Sequence, residues 1–252
     1  MKKNLISLLC PTRGRPENAL RLAKSLLDTT ADPERIELLF YIDDDDKNEG
    51  QYLELLDKWL KEKNDPFAKC EVTIGPAISI SESWNTIAAR AKGDLLIMAN
   101  DDQVYKTNAW DHRLDEEVMQ YSDGVFCMWF EDGINGSGHC AFPIVSRVWY
   151  QTLGYFTPGI FKFIYNDTWL MELGKRCDRL HFISDIFVEH LHFTVNKSEL
   201  DETYQRHRDP RDNHVEYDKA LFEKTEGMRT ADANKLLTVI QNYSAHNQTQ
   251  II

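Results

Sequence analysis

The chain has 252 residues, of which 29 are Lys or Arg and 41 are Asp or Glu, so its formal net charge is −12. A protein that binds the phosphates of nucleic acid needs a basic surface, and this composition excludes nucleic acid as an expected partner. Hydrophobic residues make up 42% of the chain, which is enough to bury a core in one large domain. No stretch approaches the roughly 20 apolar residues of a membrane-spanning helix, so we expect no membrane span.

The first hundred residues alternate between apolar strands and amphipathic helices. We predict strands at 5–10, 36–42, 71–74 and 95–99. Between them we predict helices that begin near Pro16, cover about 51–63, and cover 81–91. The second helix is expected to bury Leu53, Leu56 and Leu60 on one face. This alternation is typical of a parallel sheet with helices on its faces.

Two of the four predicted strands end in acidic clusters. Four consecutive aspartates, 43–46, follow the second strand, and the sequence Asn100-Asp101-Asp102 follows the fourth. Ligands of such sheets bind outside the carboxyl ends of the strands. Carboxylates gathered at one edge repel each other unless a cation or a set of hydrogen-bond donors lies among them. These six acids equal half of the net excess of 12 negative charges, and they predict a cation-binding edge.

The pattern changes after residue 102. We predict strands at 124–130 and 140–145, a helix at 167–176 and a last strand at 181–192. The glycine-rich stretch 133–138 is interpreted as a flexible loop near an acceptor site. The polar tail from residue 196 has only loose helical periodicity, which leaves two alternatives open: a helical appendage packed on the main domain, or an oligomerisation element.

The cysteines are odd in number and widely spaced, with no CxxC pair: Cys10, Cys70, Cys127, Cys140 and Cys177. This pattern favours neither a zinc site nor a disulfide framework. A reducing compartment is the simpler inference, so we expect a cytoplasmic location.

In this order and at these distances, the motifs resemble nucleotide-sugar-dependent glycosyltransferases of the family-2-like kind, whose fold is called GT-A. The matching pieces follow the predicted elements in turn: Pro11-Thr12-Arg13-Gly14-Arg15-Pro16, Asp43-Asp44, Trp84-Asn85, Gly93-Asp94, Asn100-Asp101-Asp102, Asn166-Asp167 and Glu189-His190-Leu191-His192. The resemblance implies an α/β GT-A domain over 1–195 with a central mixed, mostly parallel sheet. Its nucleotide-binding half would be 1–102 and its acceptor half 103–195, followed by a C-terminal helical extension over 196–252.

The resemblance places Asn100-Asp101-Asp102 at the family's Asp-x-Asp motif, whose carboxylates hold a divalent ion that bridges the two donor phosphates. Because Asn100 stands where the first Asp would be, we expect Asp102 to be the main metal ligand, with Asn100 and Asp101 near the nucleotide. Taken alone, this segment also fits a solvated acidic turn.

The family also implies a histidine ligand from the last strand. His190 and His192 are two apart on that predicted strand, hence on one face, and the sequence does not choose between them. Imidazole suits manganese better than magnesium, so we expect Mn²⁺, with Mg²⁺ as the alternative.

The same resemblance makes Asp167 the candidate general base, which would remove the proton of the acceptor hydroxyl. Aspartate is also favoured at helix starts for capping, which is the structural alternative. Six further residues are expected to contact the donor nucleotide or its phosphates: Thr12, Arg13, Arg15, Asp43, Asp44 and Asn85. Asp45 and Asp46 are expected to be solvated.

The sequence therefore predicts a soluble, metal-dependent glycosyltransferase that moves a sugar from a nucleoside diphosphate to an unknown hydroxyl acceptor. UDP is the expected nucleotide. One alternative is a nucleotidyltransferase on a similar sheet, which the loop 12–15 resembles faintly. The other is a sugar- or nucleotide-binding module without catalysis, which Asn100 and Asn166 favour because each stands where the family carries an acid.

Overall fold

The computed structural model describes residues 3–206 and 213–249. Within these residues, eight strands form one mixed sheet: β1 (Ile6–Pro11), β2 (Ile36–Asp43), β3 (Lys69–Gly75), β4 (Leu95–Met98), β5 (Gln103–Tyr105), β6 (Cys127–Glu131), β7 (Ile144–Ser146) and β8 (Leu180–His190). Their order across the sheet is β3-β2-β1-β4-β7-β6-β8-β5. Strands β1 to β4 are parallel, β7 is antiparallel to β4 and β6, and β6 is parallel to β8. The predicted fold class is confirmed.

The same residues contain nine α-helices: α1 (Pro16–Thr29), α2 (Glu49–Glu62), α3 (Ile80–Ala88), α4 (Trp110–Val118), α5 (Arg147–Leu153), α6 (Asn166–Arg176), α7 (Glu202–Arg206), α8 (His214–Lys224) and α9 (Glu226–Thr249). None of the helices in the described part of the chain combines the length and the apolar character needed to cross a bilayer.

The core lies on both faces of the sheet. Alternate side chains of β1 point to opposite sides, so Leu8 packs in one apolar cluster and Leu9 in the other. Helix α1 covers the first cluster with residues such as Leu22, and α3 covers the second with Trp84 and Ile87. Burial on both faces explains why the parallel strands are continuous apolar runs in the sequence.

Helix α2 differs from its prediction in the face that it buries. Tyr52, Leu56 and Trp59 are its buried residues, whereas Leu53 is 43% exposed. The core stripe is therefore set by the two aromatic residues on either side of Leu56. The prediction that Leu53 is buried was wrong, because Tyr52 occupies the buried face of the helix instead. Leu60 packs against the core but is only partly buried.

The tail packs on the main body through its last helix. Helix α9 contacts α5 and α6, and its residues Ala233 and Leu236 are buried in the same apolar cluster as Trp169. The part of the tail that the structure describes therefore matches a packed helical appendage. Residues 207–212 and 250–252 of the predicted extension 196–252 lie outside the described residues.

Helix α8 fastens the loop that precedes α6. The carboxylate of Asp218 is fully buried and accepts three backbone hydrogen bonds, from the N–H groups of residues 162, 163 and 164, at 2.9, 2.7 and 3.0 Å. Buried N–H groups that lose their acceptor carry the full cost of desolvation. The loop conformation therefore depends on a residue of the tail.

We predict that Asp218→Ala lowers the free energy of unfolding by about 2–4 kcal/mol, because three partly buried backbone N–H groups lose their acceptor. The matched control is Glu223→Ala, which removes an exposed acid from the same helix and should change stability by less than about 0.5 kcal/mol. Chemical denaturation of the two variants measures the difference. Equal losses would show that the carboxylate does not hold the loop.

Candidate donor and metal site

A cavity of about 230 Å³ opens at the carboxyl ends of β1, β2 and β4, beside the end of β8. It collects nine of the twelve predicted site residues: Thr12, Arg13, Arg15, Asp43, Asn100, Asp101, Asp102, His190 and His192. Parallel strands end at one edge, so loops far apart in sequence meet there. We call this the first cavity.

Asp101 is held by the loop after β1. The Thr12 hydroxyl donates to Asp101 Oδ2 at 2.6 Å, and Arg15 Nη1 donates to Oδ1 at 3.2 Å. Burial raises the pKa of Asp101 to about 6, with Arg15 opposing the shift and the charge of Asp102 adding to it. Both oxygens of this buried carboxylate already have partners, so Asp101 fastens the β1 loop to the end of β4.

Asp102 points the other way, toward β8. Its Oδ2 lies 3.4 Å from His190 Nε2 and accepts a hydrogen bond from the Tyr204 hydroxyl at 2.7 Å. Its Oδ1 is buried and has no hydrogen-bond partner among the described residues. Burial raises the pKa of Asp102, but the hydrogen bonds from His190 and Tyr204 outweigh it and bring the pKa below the usual value. An ionised carboxylate with an unpartnered buried oxygen beside an imidazole nitrogen fits a divalent cation.

The two predicted histidines have different surroundings. Strand β8 ends at His190, so the prediction that both lie on one strand face is wrong. His192 instead precedes a 3-10 turn at Phe193–Val195, where its Nδ1 accepts the backbone N–H of Thr194 at 3.3 Å. The two rings remain neighbours, with centroids 5.1 Å apart. Burial lowers the pKa of His190, but Asp102 and Asp132 on either side of its ring raise it overall to about 9.

The four aspartates after β2 divide into different roles. Asp43 lines the first cavity and accepts hydrogen bonds from Arg13 at 2.7 Å and from Arg206 at 3.1 Å. Asp44 is exposed and does not line the cavity, whereas Asp45 pairs with Arg13.

Asp46 is not solvated as predicted. It is buried and accepts the backbone N–H groups of Gly14 at 2.7 Å and Asn48 at 2.9 Å. Gly14 has a φ of +69°, a conformation that glycine adopts without strain. Asp46 therefore holds the β1 loop in place from the end of β2.

Asn85 lies outside the first cavity. Its Nδ2 donates to the carbonyl of Thr157 at 2.9 Å, and its Oδ1 accepts the N–H groups of Phe156 and Thr157 at 2.9 and 3.0 Å. The amide thus clamps a loop after α5 onto α3. This geometry gives no support to the nucleotide contact predicted for Asn85.

The tail contributes residues that the sequence did not indicate. Asp201 pairs with Arg15 through two parallel hydrogen bonds of 2.6 and 2.7 Å. The guanidinium of Arg15 also lies 4.0 Å from the ring centroid of Tyr204, and Arg206 reaches Asp43. Segment 201–206 is polar, short and without clear periodicity, so no sequence pattern connected it to residues nearly two hundred positions earlier.

A second cavity of about 310 Å³ adjoins the first and shares Ile80, Asn100 and Phe163 with it. Asp167, at the start of α6, lines this second cavity. Its Oδ1 accepts the N–H of Thr168 at 2.6 Å.

The other oxygen of Asp167 meets a histidine that the sequence analysis did not single out. Asp167 Oδ2 lies 2.7 Å from Nε2 of His139, the residue directly after the glycine-rich stretch. The hydrogen bond to Asp167 raises the pKa of His139 above its usual value, with burial opposing the shift. The glycine-rich stretch therefore leads to a residue that contacts the candidate base. Its place near an acceptor site stays a prediction.

The residue before α6 has an unusual backbone. Tyr165 has a φ of +70°, which is uncommon for a bulky side chain and costs conformational energy. Its ring stacks on Phe222 of α8 at 4.7 Å, and the Ser81 hydroxyl binds the neighbouring Asn166 side chain. Packing against the tail thus compensates for the strained turn that directs Asp167 toward the second cavity.

Another group of potential metal ligands lies elsewhere in the described residues. Oxygen and nitrogen atoms of Asp32, Asp111 and His112 lie within 4.8 Å of one another. Arg35 donates to Asp111 at 2.7 Å and lies 3.3 Å from Asp32, where Lys3 also approaches at 2.5 Å. Positive charge is already supplied by side chains, so this cluster is a structural ion-pair network.

The mixed sheet of this chain and its strand order match the GT-A class of folds. A comparison with solved structures finds a mannosyltransferase from Pyrobaculum calidifontis in complex with GDP-Man and Mn²⁺, with a TM-score of 0.64 and 11% identity over 99% of this chain and 76% of that one. S. aureus TarS with UDP-GlcNAc matches with a TM-score of 0.55 and 12% identity over 73% of this chain. GalNAc-T7 with UDP, GalNAc and Mn²⁺ matches with a TM-score of 0.60 and 16% identity over 76% of this chain.

These likenesses concern the fold. The chain spans 58% of that TarS chain and 44% of the GalNAc-T7 chain. No model of a protein family matches the sequence, and no curated protein matches it either. At sequence identities of 11%, 12% and 16%, the similarity to these structures establishes the GT-A fold alone.

We predict that Asp167→Asn lowers the pKa of His139, because the carboxylate stabilises the charged imidazolium and the amide does not. An NMR titration of the imidazole resonances measures the shift. The matched control is Asp178→Asn, which changes an exposed aspartate just beyond the other end of α6 and should leave the pKa of His139 unchanged. A His139 pKa that stays constant in Asp167→Asn would contradict the pairing.

Proposed function

We propose that this chain is a metal-dependent glycosyltransferase that transfers a sugar from a nucleoside diphosphate sugar, with UDP as the expected nucleotide, to a hydroxyl acceptor. The observation that carries the proposal is the Asp102 carboxylate next to His190 in the first cavity, with one buried oxygen that has no hydrogen-bond partner among the described residues. The GT-A fold adds support, since proteins with this fold were solved with GDP-Man, UDP-GlcNAc and Mn²⁺.

Asp102 and His190 are the residues that would hold the ion. They supply one oxygen and one nitrogen ligand, which suits Mn²⁺ and leaves positions for oxygens of the donor diphosphate and water. The bound ion would supply positive charge at the diphosphate as it leaves. His192 is the less suitable ligand. Its Nδ1 accepts the N–H of Thr194, which places the proton of the neutral ring on Nε2, the other nitrogen.

Arginines of the first cavity would bind the donor phosphates. Arg13, Arg15 and Arg206 line it, and each is paired with an aspartate. Guanidinium groups bind phosphate through paired, charge-assisted hydrogen bonds as they bind carboxylate. A diphosphate would therefore replace Asp201 as the partner of Arg15, because the Asp201 side chain is 40% exposed and would return to solvent.

Asp167 would act as the general base. The acceptor hydroxyl, bound in the second cavity, would lose its proton to Asp167 while its oxygen bonds to the anomeric carbon. The bond from that carbon to the phosphate oxygen breaks, and the nucleoside diphosphate leaves with the electron pair, with inversion at carbon. Hydrogen bonds to Thr168 and His139 fix the orientation of the carboxylate, which lines the second cavity, and this supports the role of Asp167.

For the metal, we predict that Mn²⁺ strengthens the binding of UDP by at least about tenfold and that Asp102→Asn abolishes this gain. Isothermal titration calorimetry with UDP, GDP and dTDP, each with and without Mn²⁺, measures it and ranks the nucleotides. Asp28→Asn, an exposed aspartate on α1, is the control and should retain the gain. Nucleotide binding that ignores the metal in the wild-type protein would overturn the role of Asp102.

For the base, we predict that Asp167→Asn leaves UDP affinity unchanged but lowers the rate of sugar transfer, or of donor hydrolysis, by about 10²–10⁴-fold. The measurement is nucleoside diphosphate release from a panel of sugar nucleotides. Metal-dependent binding with no turnover of any donor would instead favour a binding module without catalysis. Full activity in Asp167→Asn would show that Asp167 is not the general base.

A further inference from the structure

Asp132 is a buried acid that the sequence motifs do not include. It follows β6 directly and is 3% exposed. Its Oδ1 accepts the backbone N–H groups of Ile134 at 2.9 Å and Asn135 at 2.7 Å, and its Oδ2 accepts Asn135 Nδ2 at 2.7 Å. These bonds form the start of the glycine-rich turn and fix the direction of the carboxylate.

His190 is joined to Asp132 at two points. The backbone N–H of His190 donates to the carbonyl of Asp132 at 3.0 Å, where the end of β8 meets the end of β6. The ring Nδ1 of His190 lies 3.7 Å from Asp132 Oδ2, just beyond hydrogen-bond distance. That Nδ1 is buried and has no hydrogen-bond partner among the described residues. The nearest charged group that can satisfy it is therefore Asp132.

The other side of the imidazole faces Asp102. His190 Nε2 lies 3.4 Å from Asp102 Oδ2, so the ring stands between two carboxylates. The edge-on ring of Phe142, 5.0 Å away, restricts its tilt. Pairing of β5 with β8 places Gln103 opposite His190, and Leu191 donates to the carbonyl of Asp102 at 2.8 Å, so the backbone also holds the histidine beside Asp102.

We propose that Asp132 is a positioning residue for the metal site: it accepts the Nδ1–H of His190 and thereby leaves Nε2 as the nitrogen that ligates the divalent ion together with Asp102. A histidine ligand commonly donates its second ring N–H to a carboxylate, which fixes the tautomer and the ring orientation. The inference deepens the proposed function and rests on it for the presence of the ion.

This role is separate from that of His139, although both residues belong to one loop. Asp132 faces the His190 side of the first cavity, whereas His139 faces Asp167 in the second cavity. Loss of Asp132 should therefore weaken the metal site and leave the pairing of the candidate base intact.

The test is the affinity of the full-length protein for Mn²⁺ alone, measured by calorimetry. Asp132→Asn should weaken Mn²⁺ binding about 10–100-fold. The amide oxygen would keep the N–H groups of Ile134 and Asn135, so the NH₂ group would face His190 and could not accept its Nδ1–H. Asp132→Ser, whose hydroxyl can still cap the turn, should show the same loss. The control variant is Ser137→Ala, which changes an exposed side chain of the same turn and should bind Mn²⁺ as the wild type does.

A double-mutant cycle separates positioning from a general loosening of the turn. In a His190→Gln background, Asp132→Asn should cause no further loss of Mn²⁺ affinity, since its effect passes through His190. Electron spin-echo spectra of bound Mn²⁺ provide a second readout: the ¹⁴N coupling of an imidazole ligand should disappear in His190→Gln and be weakened or changed in Asp132→Asn.

Three results would overturn the inference. Wild-type affinity in Asp132→Asn, an equal loss in Ser137→Ala, or a further loss in the His190→Gln background would each show that Asp132 does not act through His190. These results would leave the proposed function standing. Failure of the wild-type protein to bind Mn²⁺, both alone and in the presence of UDP, would overturn both the metal role of Asp102 and the positioning role of Asp132.

Discussion

Carboxylates gathered at one edge of the sheet are the constraint on which the rest of the site depends. The ends of β2 and β4 bring Asp43, Asp101 and Asp102 to one cavity, and all three are buried. Buried charges of like sign are tolerated only where hydrogen bonds and opposite charges compensate them. Arginines pair with Asp43 and Asp101. Asp102 contacts a histidine and a tyrosine hydroxyl, and within 3–206 and 213–249 its other oxygen has no hydrogen-bond partner. Side chains of the described residues thus compensate most of the negative charge of the site. The part that they leave uncompensated lies at Asp102.

The tail is part of this compensation as well as a packed appendage. Tyr204 and Arg206 add one hydroxyl and one positive charge to the first cavity, and Asp201 pairs with Arg15, which lines it. Asp218 holds the loop that contributes Phe163, which lines both cavities. The boundary near residue 195 that the sequence suggested is therefore crossed by contacts that both cavities depend on.

The two cavities meet at a shared wall, and one loop serves both. Residues 132–139 connect β6 to the segment before β7, with Asp132 beside His190 and His139 beside Asp167. In the proposed reaction, the metal side neutralises the leaving group and the base side activates the acceptor. A single short loop that positions one residue on each side would keep the two groups at a constant separation. Asn166 fits this picture as a packed residue, since its side chain is buried against Ser81.

Much of the fold was determined by local sequence. Continuous apolar runs bounded by Pro11 and by the acidic clusters predict parallel strands, and most helices were found near their expected positions because their apolar periodicity is strong. The elements β5 and α5, with three and seven residues, were missed because they are too short to show a period. Helix α4 was also missed, although α3, of the same nine-residue length, was found. The buried face of α2 was assigned one position away because periodicity alone did not distinguish Leu53 from Tyr52.

The sequence by itself determined which acids gather at the edge of the sheet, because parallel strands all end on the same side. Only the tertiary structure decided which way each side chain points: Asp101 toward Arg15, Asp102 toward His190, and Asn85 into a loop clamp. It alone also brought His139, Asp132 and Tyr204 to the site. These contacts join residues tens to more than a hundred positions apart, and no local pattern encodes them, since they arise from the register of strands and the packing of the tail.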